Sequence, residues 1–457
     1  MGGDPGGESG DASDATHVCG FPAPAKLPYG AEVDLGSCLR EPYDPTTAGR
    51  LVARNVHQGQ RKLLLSEIQL LTEYYEKARG TPPASVRHPL VAYVGAAPGT
   101  HLAFLHVLFP HVRFVIYDGA PFDVAALQAT PALREAFELR RQFFTDATCA
   151  EILARAKRPA GPASGTAGSS AATPLILISD IRSSPPPNPE GGVSRAAEFE
   201  AQVMRDMLAQ RRWVEILQPD LSLLKFRLPY TMRPGDVVPY LGGKLLYGIW
   251  PPKESGEARL LVKRPDIARG DVPYDFQAYE QVMFFHNAYT RKACFASNVP
   301  PEAAGLVGGE VVGSSDRYYC TCYDCVSELS VYARYLAKAL PKMLGPAAAS
   351  VAAPAAASAG APAGIHALAE AAARSPAAAM ELVVAMYRRH ISEVRGRPMP
   401  LQQQLMHSVH SVHSHAKTVS PQWASAARAA VEARIQTCKG LKRDAKAAKA
   451  AKAATAT

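Results

Sequence analysis

Val91-Ala-Tyr-Val-Gly95-Ala-Ala-Pro98-Gly99-Thr-His101 decides the fold. A short apolar β-run opens directly into a turn of small residues and then into a helix. Gly95 and Gly99 have no Cβ, so the chain can turn sharply there, and an adenosine or its amino-acid tail can lie against the main chain. The next strand, Phe114-Val-Ile-Tyr-Asp118-Gly119, ends roughly twenty residues on in an acid able to accept both ribose hydroxyls. One such turn alone defines no more than an α/β protein with a ligand loop. The Gly-x-x-Pro-Gly form lacks the third glycine of the dinucleotide fingerprint and the Lys-Ser/Thr of a P-loop. Those absences point to S-adenosylmethionine rather than NAD or ATP.

Further runs extend the pattern. Pro174-Leu-Ile-Leu-Ile-Ser-Asp180-Ile-Arg182 reads as a buried parallel strand that again ends in an acid, and open α/β sheets place their ligands at those carboxyl ends. Leu221-Ser-Leu-Leu-Lys225-Phe-Arg227 reads as a strand carrying a lysine, and Ala258-Arg-Leu-Leu-Val262 as another with Glu257 just before it. Upstream, His57-Gln-Gly-Gln60-Arg-Lys62 starts an amphipathic helix expected to run to about residue 78. Two lysines, an aspartate and a glutamate thus stand at the edges of one sheet. Methyl transfer to a sugar hydroxyl needs a base, because the alcohol is a poor nucleophile until its proton leaves. A lysine serves only if its pKa falls, which burial and a second nearby cation both bring about. Lys225 with Lys62 beside it would have that pressure, while Asp180 and Glu257 would orient the amines and compensate their charge.

The order Lys62, Asp180, Lys225, Glu257 resembles the Lys-Asp-Lys-Glu set of the 2′-O-ribose RNA methyltransferases. The flanking words resemble one branch closely: the poxvirus cap-specific mRNA nucleoside 2′-O-methyltransferases, which double as the regulatory subunit of poly(A) polymerase. The matching words are Gln58-Gly-Gln60-Arg-Lys62-Leu-Leu-Leu, Gly95-Ala-Ala-Pro-Gly99-Thr-His101, Asp118-Gly119, Ile178-Ser-Asp180-Ile-Arg-Ser183, Leu224-Lys225-Phe-Arg227, Glu257-Ala-Arg259-Leu-Leu261 and Tyr279-Glu280. They occur in the family's order over the stretch from Tyr43 to Leu340. The resemblance implies a Rossmann-like, S-adenosylmethionine-dependent α/β fold with a mostly parallel sheet. It implies cofactor contacts from Gln60, Tyr93, Gly95, Gly99, Asp118 and Asp180, with Phe144 or Thr145 near the adenine. Lys225 would be the base, supported by Lys62, Asp180 and Glu257. Tyr43 and Tyr230 would sandwich the 7-methylguanine of an mRNA cap, and Glu280 would read its edge; the cationic base stacks well on electron-rich rings and pairs through N1 and N2 with a carboxylate. Three positions depart from the family pattern. Ala120 stands where an arginine is expected, Met232 where a second acid is expected, and Glu254 where a tyrosine is expected; Asp236 or Glu254 is the nearest substitute for the missing acid.

Composition agrees with a polyanionic partner. Fifty basic against 41 acidic residues give a net charge of +9, and 47% hydrophobic residues in 457 suffice for one large α/β domain with extensions. Lysine and arginine along a groove would hold RNA phosphates without reading sequence. No window of eighteen apolar residues occurs and the N-terminus is rich in Gly, Asp and Ser, so a soluble intracellular protein without a membrane anchor is expected. The resemblance adds the virion and host-cell cytoplasm as its setting. Eight scattered cysteines make no disulfide framework, and Cys320, Cys322 and Cys325 lack a fourth ligand, so no metal is expected. Low-complexity stretches divide the chain: a disordered start at 1–17, the methyltransferase domain at 18–344 with loop insertions near 159–173 and 183–192, an Ala/Pro-rich linker at 345–364, and a helical extension at 365–457. Within that extension His407, His410, His413 and His415 lie close together, and 439–452 is a basic Lys/Ala tail.

Two classes of function remain open. One is transfer of methyl to the 2′-hydroxyl of the first transcribed nucleotide of capped mRNA. The other is a binding role, in which the fold holds RNA as processivity subunit beside a poly(A) polymerase catalytic subunit, without chemistry. The intact Lys-Asp-Lys-Glu set favours the first, since an RNA holder needs no such set. Tyr43, Tyr230 and Glu280 argue against ribosomal or transfer RNA as the substrate.

Overall fold

The structure is a computed structural model that describes residues 32–38, 40–44, 59–77, 86–157, 173–183, 195–252, 255–288, 290–292, 295–307, 319, 322–344 and 363–394. The N-terminal stretch, most of both loop insertions and of the linker, Cys320, Glu254, the histidines at 407–415 and the basic tail lie outside the described residues. In chain order the elements are β1 (Glu32–Val33), α1 (Gly59–Lys77), β2 (Leu90–Val94), α2 (Leu102–Leu108), β3 (Arg113–Tyr117), α3 (Val124–Leu127), α4 (Pro131–Ala136), β4 (Phe137–Arg140), α5 (Asp146–Lys157), β5 (Leu175–Ser179) and α6 (Arg195–Leu217). Then come β6 (Leu221–Phe226), β7 (Val237–Leu241), β8 (Lys244–Tyr247), β9 (Ala258–Lys263), α7 (Arg264–Arg269), β10 (Asp271–Asp275) and α8 (Phe276–Ala288). The C-terminal part holds α9 (Tyr323–Arg334), a π-helical stretch Tyr335–Ala339, α10 (Leu340–Leu344), α11 (Ala363–Arg374) and α12 (Pro376–Val394).

Eight strands form one sheet in the order β1-β8-β9-β6-β5-β2-β3-β4. The run β4-β3-β2-β5-β6 is parallel, and β9 joins β6 antiparallel, followed by β8 and β1. The connection reverses direction between β2 and β5, and a parallel sheet presents its ligand crevice at the carboxyl ends on either side of such a reversal. Gly95 follows β2 and Asp180 follows β5, so the sheet brings the two together. The five strands read from the sequence are β2, β3, β5, β6 and β9; the sheet adds β1, β4 and β8.

Alternation along each strand splits the core into two layers. Val91, Tyr93, Phe114, Ile116, Ile176, Ile178, Leu221 and Leu223 pack under α1, α2 and the C-terminal helices. Ala92, Val94, Val115, Tyr117, Leu175, Leu177, Leu224 and Phe226 face α5, α6 and α8. Beyond the boundary expected near residue 344, α11 and α12 do not stand apart: Ile365, Leu368, Met380, Val383, Val384 and Tyr387 are buried in the first layer. Ser375 caps α12 by accepting from the Ala378 amide at 3.0 Å, and Pro376 opens the helix. Among the described residues no helix is long and apolar enough to cross a membrane.

At the amino-terminal ends of β2 and β3, the Tyr75 hydroxyl meets His88 Nδ1 at 2.9 Å, and the His88 and His111 rings lie 4.6 Å apart. Burial, then the neighbouring His111, lowers the His88 pKa from 6.5 to about 4. A histidine held neutral in the fold contributes stability that is fully present above its unfolded pKa and is lost as pH falls from 6.5 towards 4. We expect the thermal midpoint to drop across that window and His88→Gln, which keeps an acceptor for Tyr75, to remove part of the drop. The same slope in both proteins would contradict this.

Candidate active site

Parity along the strands assembles the charged set. Asp180 continues the Ile176, Ile178 face of β5, Lys225 continues Leu221 and Leu223 of β6, and Glu257 and Arg259 share a face with Leu261 of β9. All four therefore lie on the side covered by α1, whose first turn carries Lys62. Lys225 and Arg259 stand directly opposite each other across the antiparallel pair β6 and β9. Buried Gln210 of α6 clamps the backbone at Lys225, donating to its carbonyl at 3.0 Å and accepting from its amide at 3.2 Å. The Asp180 amide donates to the Val94 carbonyl at 2.8 Å, fixing the end of β5 against the end of β2.

The side chains interlock. Lys225 Nζ lies 3.3 Å from Asp180 Oδ1 and 3.4 Å from Glu257 Oε2. Arg259 reaches Asp180 at 2.6 Å and Glu257 at 3.4 Å, and Lys62 Nζ pairs with Glu257 Oε1. These side chains are 4% to 14% exposed, so solvent screens them little. Three cations face two carboxylates, leaving one excess positive charge in a buried cluster. Burial lowers the Lys62 pKa, and Arg259 and Lys225 add to that against the opposing pull of Glu257. Burial alone would raise Asp180 and Glu257; Arg259 and Lys225 hold Asp180 below the usual carboxylate range, and Lys62 and Lys225 hold Glu257 well below it. Losing one proton from a lysine balances the set at two against two. Arg259 was absent from the sequence-derived set, although its i, i+2 spacing from Glu257 on a strand marks it.

The turn after β2 is built for close approach. Gly95 has φ +86°, and a Cβ there would lie 2.9 Å from the Asp180 carbonyl carbon; Gly99 has φ +76°. Asp118 accepts from the Ala97 amide and the Ala120 amide, each at 2.8 Å, tying the end of β3 to this turn. Behind the turn, Gln60 Oε1 meets His101 Nδ1 at 2.8 Å and accepts from Thr100 Oγ1 at 3.2 Å. The fully buried Tyr93 donates to Glu67 at 2.6 Å, which also meets His101 Nε2 at 2.8 Å. Tyr93 thus supports the turn from beneath. Thr145 is exposed and shares a hydrogen-bonded cap with Thr148. Phe144 packs edge-on to Tyr117 and Trp213, each 4.9 Å away, and is core. It is Phe143 that is 80% exposed, its ring lying on Gly119 beside Asp118.

Tyr43 and Tyr230 are each 52% exposed. Tyr43 meets Phe284, one turn along from Glu280, edge to face at 5.4 Å. The Tyr230 hydroxyl accepts from the Gly256 amide at 3.0 Å, and the Tyr279 hydroxyl donates to the Gly256 carbonyl. The Arg227 guanidinium lies 4.0 Å from the Tyr230 ring centroid, and Glu200 of α6 holds both, accepting from Arg227 at 3.0 Å and from the Tyr230 amide at 2.7 Å. Burial raises the Glu280 pKa. Met232 is partly buried against the second core layer, and Asp236 accepts from the Arg233 amide in its own turn. Arg182 and Arg227, which follow β5 and β6, each keep one guanidinium nitrogen that is buried without a hydrogen-bond partner. Guanidinium groups that follow the carboxyl ends of β5 and β6 suit phosphate oxygens that reach them.

The chain belongs to the family described as poly A polymerase regulatory subunit, whose model matches residues 39–298. Two relatives, both described as cap-specific mRNA (nucleoside-2′-O-)-methyltransferase and from the Lausanne and Uriarra strains of myxoma virus, are each 25% identical over 258 residues. Each alignment covers 54% of this chain and 66% of the relative, just under two thirds of its length.

Removing one partner from a buried ionic cluster leaves the others uncompensated, at a cost of roughly 3–5 kcal/mol. We expect Glu257→Leu, which leaves three cations facing Asp180 alone, to destabilise the protein by about that much in urea denaturation. A change below about 1 kcal/mol, the scale of an exposed pair, would contradict the assigned burial.

Proposed function

We propose that this protein transfers the methyl group of S-adenosylmethionine to the ribose 2′-hydroxyl of the first transcribed nucleotide of 7-methylguanosine-capped mRNA, converting cap 0 to cap 1. The observation that carries this reading is the buried set of Lys62, Lys225 and Arg259 with Asp180 and Glu257, placed beside the Gly95 turn at the reversal of the sheet. The residues present fit the cofactor. Gly95 lets the Asp180 backbone close against the turn where a Cβ would collide, Asp118 follows β3 where a ribose needs an acceptor, and the exposed Phe143 ring offers a face to adenine. Gln60, fixed by His101 and Thr100, would meet the amino-acid end, Asp180 lies against the Gly95 turn, Tyr93 would support it from below, and Thr145 would lie near the adenine.

S-adenosylmethionine, when bound, supplies an electrophilic sulfonium methyl. Once the set has lost a proton at Lys225, Nζ would accept the proton of the 2′-hydroxyl as the oxygen takes the methyl from the sulfonium, whose sulfur is left as a neutral thioether. Asp180 and Glu257 aim that amine, Arg259 keeps Asp180 ionised, and Lys62 keeps Glu257 ionised while supplying the like charge that favours loss of a proton from the set. Tyr43 and Tyr230 would hold the methylated guanine between their rings, with Glu280 on its edge. Arg182 and Arg227 would take phosphates of the chain that leads to the reacting ribose.

Family membership supports a second role on the same fold, as processivity subunit beside a poly(A) polymerase catalytic subunit. The same resemblance supports the virion and the host-cell cytoplasm as its setting. RNA held through phosphate contacts should bind less tightly as salt rises.

The test is methyl transfer from labelled S-adenosylmethionine to a short capped RNA, with an uncapped control. Lys225→Ala is expected to lower the rate by roughly 10²–10⁴-fold, the usual contribution of a positioned base, with cofactor binding retained. A wild-type protein that binds cofactor but leaves capped RNA unmethylated would overturn the enzymatic reading and favour the RNA-holding subunit alone.

A further inference from the structure

The helix pair α11 and α12 lies outside the stretch 39–298 matched by the family, yet it is built into the layer that carries the active site. Gly364 sits so close to α2 that a Cβ there would meet Val107 Cγ1 at 2.5 Å, so the pair is docked at backbone range. Met380, Val383, Val384 and Tyr387 form a buried stripe at helical spacing on α12, and His390 continues it one turn further. The two residues at the end of that stripe touch the machinery. His390 Nε2 donates to the carbonyl of Thr100, within the cofactor turn, at 2.8 Å, and its ring stacks on Phe104 of α2 at 5.7 Å. Thr100 in turn donates to Gln60. The Tyr387 ring packs on Phe104 at 5.4 Å and lies 5.5 Å from the guanidinium of Arg61, the neighbour of Lys62.

Arg61 is held on its other sides by Trp250, 4.7 Å away, and by Glu328 at 2.5 Å, a fully buried acid that also accepts from Trp250 Nε1 at 2.7 Å and from Tyr319 at 3.1 Å. Gln60, Arg61 and Lys62 open α1, and an α-helix N-terminus has no preceding turn to fix it. The cofactor turn and the first turn of α1 therefore meet the same outside support.

We infer that α12 braces the catalytic edge, and that His390 and Tyr387 are positioning residues which hold the Gly95–His101 turn and the Gln60–Lys62 turn in mutual register. The inference rests on the methyltransferase reading above. The brace acts on cofactor binding through Thr100 and Gln60, and on the amine of Lys62 through Arg61.

The experiment uses the full chain. S-adenosylmethionine affinity is read by calorimetry, transfer to capped RNA is read by steady-state kinetics, and exchange of the amides at 99–105 is read by hydrogen–deuterium exchange. His390→Ala is expected to weaken cofactor affinity and raise its KM by about threefold to tenfold, the scale of one lost hydrogen bond, with the KM for capped RNA unchanged and faster exchange at 99–105. His390→Gln, whose side-chain amide can donate in place of Nε2–H, should restore most of the affinity. Tyr387→Leu, which keeps bulk on Phe104 but removes the ring from Arg61, should lower kcat more than it changes either KM. Equal loss in His390→Ala and His390→Gln, a parallel rise in both KM values, or no change in either exchange or affinity would overturn the brace. Failure of the wild type to bind S-adenosylmethionine would instead overturn the cofactor reading and this role with it, an outcome seen before any variant is compared.

Discussion

Asp180 cannot be moved without releasing Lys225 and Arg259, and Glu257 cannot be moved without releasing Lys62 as well. Charges buried this deeply are tolerated only when compensated, so the two carboxylates fix where α1, β5, β6 and β9 end relative to one another. The excess of one cation is the chemically useful residue of that arrangement. Burial and the neighbouring cations lower the Lys62 pKa, so the excess charge presses on a proton of the set. The proton belongs to the set, since groups interacting this strongly titrate together.

The rest of the molecule serves to hold that cluster beside a crevice. The two-layer core keeps the carboxyl ends of β2, β3, β5 and β6 in line, and Gln210 and Glu200 on α6 fix Lys225 and Tyr230 from the face opposite α1. On the α1 side, Glu67, His101 and Gln60 connect Tyr93 under the turn to the first turn of the helix. One face of the sheet thus presents the buried charged set, while Tyr43, against Phe284 of α8, and Tyr230 form the exposed aromatic pair.

The strands β2, β3 and β5 were legible because each holds a run of at least four apolar residues, with an acid after the carboxyl ends of β3 and β5, and β6 and β9 because shorter apolar runs stand beside Lys225 and Glu257. Strand β4, Phe-Glu-Leu-Arg, and β8, Lys-Leu-Leu-Tyr, are too short and too polar to stand out, and β1 holds two residues. The four charged residues of the set were read in order, but their meeting is a property of sheet topology. Arg259 was hidden inside an apolar run although parity places it with Glu257. Between Phe143 and Phe144, which ring turns outward depends on the turn after β4, and adjacent aromatics carry no local signal of that. The apolar stripe of α12 marks an amphipathic helix without naming the surface it covers, so its docking on Phe104 and Thr100 was not readable from spacing.

The most direct measurement is the pH dependence of single-turnover methyl transfer to a capped RNA at saturating S-adenosylmethionine. If the excess charge of the cluster primes the base, the rate should rise with pH through one titration whose inflection lies below about 10.4, the ordinary lysine value, and should move upward in Arg259→Leu. A rate that is flat with pH, or an inflection at the ordinary lysine value in both proteins, would contradict the role assigned to the buried set.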